Sequence, residues 1–232
     1  MAADVTFRGS VTEFPLVLAD LHRSLEVGGT ARIERAPDVE DPAAPPWHAL
    51  INGGGFAPTG TPAVYRRERT LPDYVGAAMR ILLVGLNPSP YSADVGVGFA
   101  RPGNRFWPAM LAAGLVDRAR DPRATLVDHR IGMTDLVKRA TARAAELDAT
   151  EFRSGHERIT ALAEWLQPTV VCFVGLSGWR SATDRRAVSG RQSQPIGSSI
   201  VYVMPNPSGL NAHATVASLA NHFREVDRLS RG

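Results

Sequence analysis

The chain is short of several things, and each shortage excludes something. It has one cysteine, Cys172, in 232 residues. That excludes an internal disulfide and any cysteine-built zinc cage. It has one lysine, Lys138, so a Schiff-base mechanism has a single candidate amine. No apolar run approaches the length that spans a bilayer, and Met1-Ala2-Ala3-Asp4 lacks the basic and apolar regions of a secretory signal. These absences point to a soluble cytoplasmic protein. Charged residues make up 21% and hydrophobic residues 44%, which favours a packed core over disorder. The length suits one ordinary domain with an appendage, or two small domains.

Arginine is abundant. Of the 26 basic residues, 25 are arginines. The net charge of +3 is unevenly placed: residues 1–80 hold 8 basic and 10 acidic side chains, residues 81–232 hold 18 basic and 13 acidic. A basic excess over the C-terminal two-thirds suggests a polyanionic partner. Arg180, Arg185, Arg186 and Arg191 cluster in a polar stretch bearing Ser, Thr and Gly. Such a stretch is either a solvated loop or a contact for phosphates.

The acidic, Pro-rich run at 38–46 reads as a loop. Before it, Phe14 to Leu25 has helical apolar spacing, ends at Gly28-Gly29, and is followed by a short strand from Thr30 to Glu34. After it come a short helix from Trp47 to Ile51 and an alternating strand from Ala63 to Arg69. The near-continuous apolar runs Met79–Val84, Val170–Val174 and Ser199–Met204 predict strands buried on both faces. Arg130 to Val137 is a shorter apolar segment. Helices are expected over Asn104–Ala113, Leu176–Thr183 and Thr215–Leu229, and over Ser154–Leu166 with Ser154 and Glu157 as its capping pair. Alternation of strands and helices implies a three-layer α/β sandwich with a central, mainly parallel sheet of four to five strands.

In open sheets of this kind, functional groups gather where loops leave the carboxyl ends of strands. Two such loops stand out. Gly85-Leu86-Asn87-Pro88-Ser89-Pro90-Tyr91-Ser92-Ala93 follows Val84, and Pro205-Asn206-Pro207-Ser208-Gly209-Leu210-Asn211 follows Met204. Each sets Asn-Pro at or just beyond a strand end. Asn both donates and accepts, so it can position a water or a base edge, and the proline restricts it to extended geometry. One Asn-Pro is an ordinary turn signal. Two of them, with Phe99-Ala-Arg-Pro-Gly-Asn-Arg-Phe-Trp107 between, are harder to read as turns alone.

Through Gly85-Leu86-Asn87-Pro88, Gly103-Asn-Arg-Phe-Trp107, Gly132-Met-Thr-Asp-Leu-Val137 and Asn206-Pro-Ser-Gly-Leu210, the chain resembles the mismatch-specific uracil-DNA and thymine-DNA glycosylases of the uracil-DNA glycosylase superfamily. The resemblance spans about residues 80–228. It implies a monofunctional enzyme of uracil-DNA glycosylase fold that flips a base out of mismatched double-stranded DNA and hydrolyses its glycosidic bond. It implies no cofactor, no metal and no membrane partner. A monomer in the cytoplasm of a bacterial-type cell, associated with the nucleoid, is expected. Residues 79–232 are read as the catalytic domain and residues 1–78 as an accessory segment.

The resemblance also assigns roles. Asn87 matches the catalytic asparagine that holds a water against C1′ of the flipped nucleoside. Phe99 matches the aromatic on which the base stacks. Leu210 matches the apolar wedge that fills the space the base leaves, with Ser208, Gly209, Asn211 and His213 around it on the DNA-facing loop. Leu86, Tyr91, Ser92 and Asn206 match positions near the base, and Ser92, larger than the alanine of thymine-accepting members, favours uracil. Arg185 and Arg186 are the candidate phosphate contacts.

The sequence also departs from the pattern. Ser89 stands where many members have Gly. Asp135 stands where members carry Lys or Asn, and is either a general base that polarises the water or a structural acid that caps a turn or pairs with Arg139. Asn211-Ala212-His213 replaces an arginine-bearing wedge sequence. Lys138 lies outside the Asn87 loop, so strand nicking through a Schiff base is not expected. In the N-terminal third, Leu16 to Ile33 resembles the helix, Gly-Gly turn and strand found late in class I methyltransferases. The Gly-rich cofactor loop of those enzymes is missing, so no methyl transfer is expected. Two other readings stand beside the glycosylase. A DNA-binding module without catalysis would not need a base pocket. A nucleotide-cofactor enzyme would need the third glycine that Gly96-Val97-Gly98 lacks.

Overall fold

The computed structural model describes residues 3–232. The N-terminal part runs β1 (Ala3–Phe7), α1 (Phe14–Ser24), β2 (Thr30–Arg35), α2 (Trp47–Gly53), β3 (Phe56–Pro58) and β4 (Val64–Arg67). Its four strands form a small mixed sheet in the order β1-β2-β4-β3. The larger part continues with β5 (Ile81–Gly85), α3 (Pro90–Val95), α4 (Phe106–Ala113), α5 (Pro122–Val127), β6 (Ile131–Asp135), α6 (Ala149–Leu166), β7 (Val170–Val174), α7 (Leu176–Ala182), β8 (Gly190–Arg191), β9 (Ile200–Met204) and α8 (Val216–Ser230). Its five strands are ordered β6-β5-β7-β9-β8, parallel except for β8. The expected α/β sandwich is present.

The three apolar runs sit in the middle of this sheet because both of its faces are covered. Ile81, Leu83, Val170, Cys172, Val174, Tyr202 and Met204 face the layer that holds Phe106 and Met110 of α4 and Leu219, Phe223 and Val226 of α8. The alternate residues Leu82, Val84, Val171, Phe173, Val201 and Val203 face the opposite core, with Ile159 and Leu162 of α6 and Trp179 of α7. The period-two split is what a pleated strand between two helical layers requires. That second core does not stop at the large sheet. It runs on through Val75 and Met79 to Phe14, Leu18, Ile33, Ile51 and Phe56 of the N-terminal part.

A strap from Glu68 to Arg80 joins the two sheets. In it, Tyr74 exchanges backbone hydrogen bonds with Met133, each 2.9 Å, along the outer edge of β6. An edge strand left open there would present unpaired amides and carbonyls.

Besides β1, β3, α5 and β8, which the sequence reading does not include, two local features differ from it. Helix α6 begins at Ala149, six residues earlier than the Ser154 cap implies. Its cap is Asp148, whose Oδ1 accepts from the amides of Thr150 (2.7 Å) and Glu151 (2.9 Å), while Glu151 returns a carboxylate oxygen to the Asp148 amide (3.0 Å). Asp148-x-x-Glu151 and Ser154-x-x-Glu157 share one spacing, and the earlier pair caps the helix. The stretch after β5 is not all loop. Ser89 caps α3 by accepting from the Ser92 amide at 3.1 Å, with Pro90 in the first turn. Among the described residues, no helix is long and apolar enough to cross a membrane.

Leu18 is fully buried on α1, and a β-carbon on Gly54 would collide with it. Truncating it leaves a cavity in the shared core. Leu18→Ala is expected to lower stability by about 2–5 kcal/mol in urea unfolding, in the same transition that melts the large sheet. A separate early transition confined to the N-terminal part would contradict the shared core.

Candidate active site

Because β5, β6, β7 and β9 are parallel, their carboxyl ends share one edge of the sheet. The register sets Gly85 beside Asp135. Beyond that pair, the two departing loops stay joined by backbone bonds from Leu136 to Gly85 (2.8 Å), Val137 to Leu86 (2.9 Å) and Thr141 to Pro88 (3.1 Å). The loop that carries Asn87 is therefore held against the loop that follows Asp135.

Asn87 is half-buried. Its amide nitrogen donates to Thr141 Oγ1 (2.8 Å), to the Arg139 carbonyl (3.0 Å) and to the Pro88 carbonyl (3.3 Å). Backbone carbonyls only accept, so they fix which way the amide faces. Among the described residues none donates to Asn87 Oδ1. The acceptor side of the amide is open, and its direction is set by the side that is tied down.

Asp135 is 9% exposed, and no described residue donates to its carboxylate oxygens. Burial pushes its pKa up to about 6; Lys138 and Arg158 pull the other way, and Asp73 adds to the rise. Neither structural role weighed from sequence fits. Arg139 forms a bidentate pair with Glu151 instead, at 2.7 and 2.8 Å. The carboxylate lies against Gly85, where a β-carbon would collide with Asp135 Oδ1 and come within 3.3 Å of Phe99 Cζ. Glycine is required there for the three residues to meet.

Phe99 and Asp135 line one cleft with Leu71, Pro72, Tyr74 and Met133. Phe99 has φ +57°, a left-handed conformation that a bulky side chain adopts only at a cost of about 1–3 kcal/mol. One face of its ring stacks on Phe106, with centroids 4.0 Å apart and planes 10° apart, and Phe106 packs edge-on against Phe223. One face of the Phe99 ring is thus fixed by packing within the protein. Phe106 and Trp107 are buried in the core.

Behind Asp135 lies a cluster that the sequence reading missed. Asp73, from the strap, is buried. It accepts from Lys138 Nζ (2.8 Å) and Thr134 Oγ1 (2.6 Å) on one oxygen and from Arg158 Nη1 (2.6 Å) on the other. Burial opposes the Asp73 charge, but Arg158, Lys138 and Thr134 together hold its carboxyl below the usual range. Burial likewise lowers the Lys138 ammonium, against the pull of Asp73. Arg158 also donates to Thr134 Oγ1 (3.0 Å) and to the Asp135 carbonyl. It reaches them because α6 lies against the Leu136 carbonyl at Gly155, one turn earlier, where any side chain would collide.

The second loop, after β9, is built around Asn206. Its Oδ1 accepts from the Ser208 amide (2.9 Å), and its carbonyl accepts from Asn211 Nδ2 (2.9 Å). Arg105 clamps the loop from outside, donating to the carbonyls of Ser208 (3.2 Å) and Asn211 (3.0 Å). Gly209 passes so close to the Gly103 carbonyl that a β-carbon would not fit. At the tip, Leu210 is 87% exposed. The braced loop presents this side chain to water, outside both hydrophobic cores. Arg105 lies inside a quoted motif, but its role follows from the clamp alone.

The remaining candidates are placed as follows. Tyr91 is exposed on α3. Ser92 is buried, with its hydroxyl 3.2 Å from Ser89 Oγ. Leu86 turns its side chain to the core, where its Cδ1 meets Gly178. His213 is exposed, its amide bonded to Asn211 Oδ1 at 3.2 Å. Arg185 and Arg186 are exposed, and no ion pair engages them among the described residues. No cluster of His, Cys, Asp or Glu among the described residues is placed to hold a metal.

One edge of the parallel sheet thus gathers a braced aromatic ring, an oriented amide and an exposed apolar tip. The model of the uracil DNA glycosylase superfamily matches residues 72–228, well over half of the chain. The protein belongs to that superfamily, a class of DNA glycosylases. The match takes in Asn87, Phe99, Asp135 and Leu210, and it starts one residue before Asp73. The chain is also similar to a candidate uracil DNA glycosylase from Methanosarcina acetivorans, solved by solution NMR. The two are 24% identical, with a TM-score of 0.49 over 68% of this chain and 98% of the other.

The Asp135 carboxyl ionises near 3.8 when exposed and near 6 in the fold. Between those values the folded state holds a proton that the unfolded state does not, so this group's contribution to stability falls as pH rises from about 4 to 6. Asp135→Asn removes the penalty. The variant is expected to be more stable than the parent at pH 8 by about 3 kcal/mol in urea unfolding, with the difference vanishing near pH 4.

Proposed function

We propose that the protein is a monofunctional, mismatch-directed uracil-DNA glycosylase that works as a monomer and leaves an intact abasic site. The orientation of Asn87 carries this reading. Its tethered nitrogen leaves Oδ1 as a fixed acceptor, able to hold a water against C1′ of a flipped deoxyuridine. The water forms the new C1′–O bond as the C1′–N1 bond breaks and uracil departs with the bonding pair. A neutral amide is a poor proton acceptor, so positioning and stabilisation of the leaving anion carry the rate. Asp135, buried and free of donors, is the group to take the water's proton. Phe99 stacks the flipped base, and Leu210 enters the duplex in its place.

Uracil opposite guanine is the first choice of lesion, with ethenocytosine, hypoxanthine and thymine as the others. Ser92 supports uracil over thymine, since its side chain is buried against Ser89 and leaves little freedom to make room for a 5-methyl group. Tyr91 narrows the entrance, Leu86 contributes backbone, and Asn206 braces the loop. Ser208, Gly209, Asn211 and His213 form the DNA-facing surface around the wedge. Residues 1–78 serve as an accessory element without methyl-transfer activity.

The reading is tested by release of the base from labelled oligonucleotides carrying each lesion, in single and double strands. Uracil in a mismatched duplex is expected to be cut fastest, and Asn87→Ala to lose about a hundredfold or more. Full release by Asn87→Ala overturns the role of Asn87. Binding without release of any base by the parent protein makes it a DNA-binding module instead.

The arginine loop has its own test. The pairing Gly190–Val203 and Arg191–Tyr202 lays the residues before β8 beside the carboxyl end of β9, where the wedge loop begins. Their place shortly before β8 supports setting Arg185 and Arg186 on the DNA-facing edge. Replacing both with Ala is expected to weaken binding to all sequences alike and to lower the salt slope of binding by about 2. An unchanged slope removes them from the interface.

A further inference from the structure

We infer that Asp73 is a positioning residue of the active site: by holding Lys138 and Arg158 it keeps the Asp135 carboxyl free of an ion pair. The inference rests on the role proposed for Asp135 and goes beyond it to the residue that makes that role possible.

The geometry is specific. Two cations stand next to Asp135, and neither bonds to its carboxylate. Lys138 is three residues further along the same loop, yet its Nζ turns to Asp73 Oδ1 at 2.8 Å. Arg158 reaches Asp73 Oδ2 at 2.6 Å and, with its second nitrogen, touches only the Asp135 carbonyl and Thr134 Oγ1. Asp73 is anchored from the far side, since the next residue, Tyr74, is bonded to Met133 through both backbone groups. The charged groups that face Asp135 are therefore Lys138 from its own loop, Asp73 from the strap and Arg158 from α6. Tyr74 lines the same cleft, while Gly85 and Phe99 bring no charge.

The physical consequence follows from what a buried ammonium needs. A lysine buried without an acid is costly. If Asp73 lost its charge, the remaining acid within the cluster would be Asp135. Lys138 would turn to it, and the carboxylate would become an ion-paired acceptor with its proton affinity lowered. A base that must take a proton from water would be disabled without any change to Asn87, Phe99 or Leu210.

The test uses the full-length protein labelled with carboxyl-13C aspartate, and reads the Asp135 titration by NMR beside the pH profile of uracil release. Asp73→Asn keeps the shape of the side chain and removes its charge. It is expected to lower the pH at which Asp135 titrates by about one unit and to move the acidic limb of the rate profile with it. Adding Lys138→Met to that variant is expected to return both toward the parent values, a rescue that loss of packing would not give. An Asp135 resonance that titrates at the parent pH in folded Asp73→Asn overturns the inference. A shifted resonance with an unshifted rate profile overturns the catalytic role of Asp135 and leaves the hold of Asp73 on it standing. Where Asp73→Asn does not fold, Lys138→Met alone reads the same link. It is expected to raise the Asp135 titration, and an unmoved titration overturns the inference.

Discussion

Three charged side chains, Asp73, Lys138 and Arg158, are buried together beneath the active edge. Much else depends on that arrangement. Each charge alone would be several kcal/mol too costly to bury. Together they are tolerated because Asp73 has donors on both oxygens and because Thr134 fills the remaining site. The cluster draws on four separate pieces of chain: the strap, the end of β6, the loop beyond it and the middle of α6. None of the four can move without uncovering a charge. It therefore fixes the angle at which α6 crosses the sheet and the path by which the N-terminal part joins it, more sharply than non-directional apolar packing could.

On top of this base, the active edge follows from register. Gly85 is paired with Asp135, and the glycine leaves the space in which a carboxylate and an aromatic ring meet. Phe99 reaches that space only through a left-handed backbone. Strain of this sort persists where the surroundings over-determine it. Here they do so through the stack on Phe106, which is wedged in turn against Phe223 and Trp107. The loop that carries Leu210 is braced in the same spirit, by Asn206 from within and Arg105 from without. Rigidity is what an apolar tip needs if it is to enter a duplex, because a floppy loop would lose at binding the entropy it kept when free.

How much of this is legible in the sequence depends on whether a feature is local. The buried strands announce themselves as apolar runs, and the two Asn-Pro loops fall on the carboxyl edge of the sheet because each directly follows such a run. The exposure of Leu210 follows from its polar and glycine neighbours. The start of α6 is misread because two capping pairs with the same spacing lie six residues apart, and nothing local says that Asp148 outranks Ser154. Helix α3 is missed because Ser-Pro and Asn-Pro signal a turn, and one and a half helical turns leave little periodicity to detect. Asp73 and Arg158 are 85 residues apart, and their pairing exists only once the strap lies on β6. A faint trace was available: Asp73 is the lone charge within Leu71-Pro72-Asp73-Tyr74-Val75, and Arg158 sits beside the apolar stripe of Gly155, Ile159 and Leu162. A charge inside an apolar stretch asks for a buried partner, but it does not name one.

The choice of cations in the cluster explains why a chain so rich in arginine keeps one lysine. Arg158 must satisfy acceptors in two directions, Asp73 on one side and Thr134 with the Asp135 carbonyl on the other. A planar fork spans them, and a single ammonium would not. Lys138 has one acceptor to reach, from a loop that begins only three residues earlier, and a compact charge on a flexible stem suits that. The same placement bears on the chemistry. An amine forms a Schiff base only when it is neutral and free to approach a sugar aldehyde. Burial lowers the Lys138 pKa, but its Nζ is tied at 2.8 Å to a buried carboxylate and is not free to approach. On the proposed reading the chain's single candidate amine is occupied behind the site, and the groups left facing the flipped nucleotide are an amide, a carboxyl and aromatic carbon. That set can position a water and accept its proton, and it has no amine with which to open the sugar.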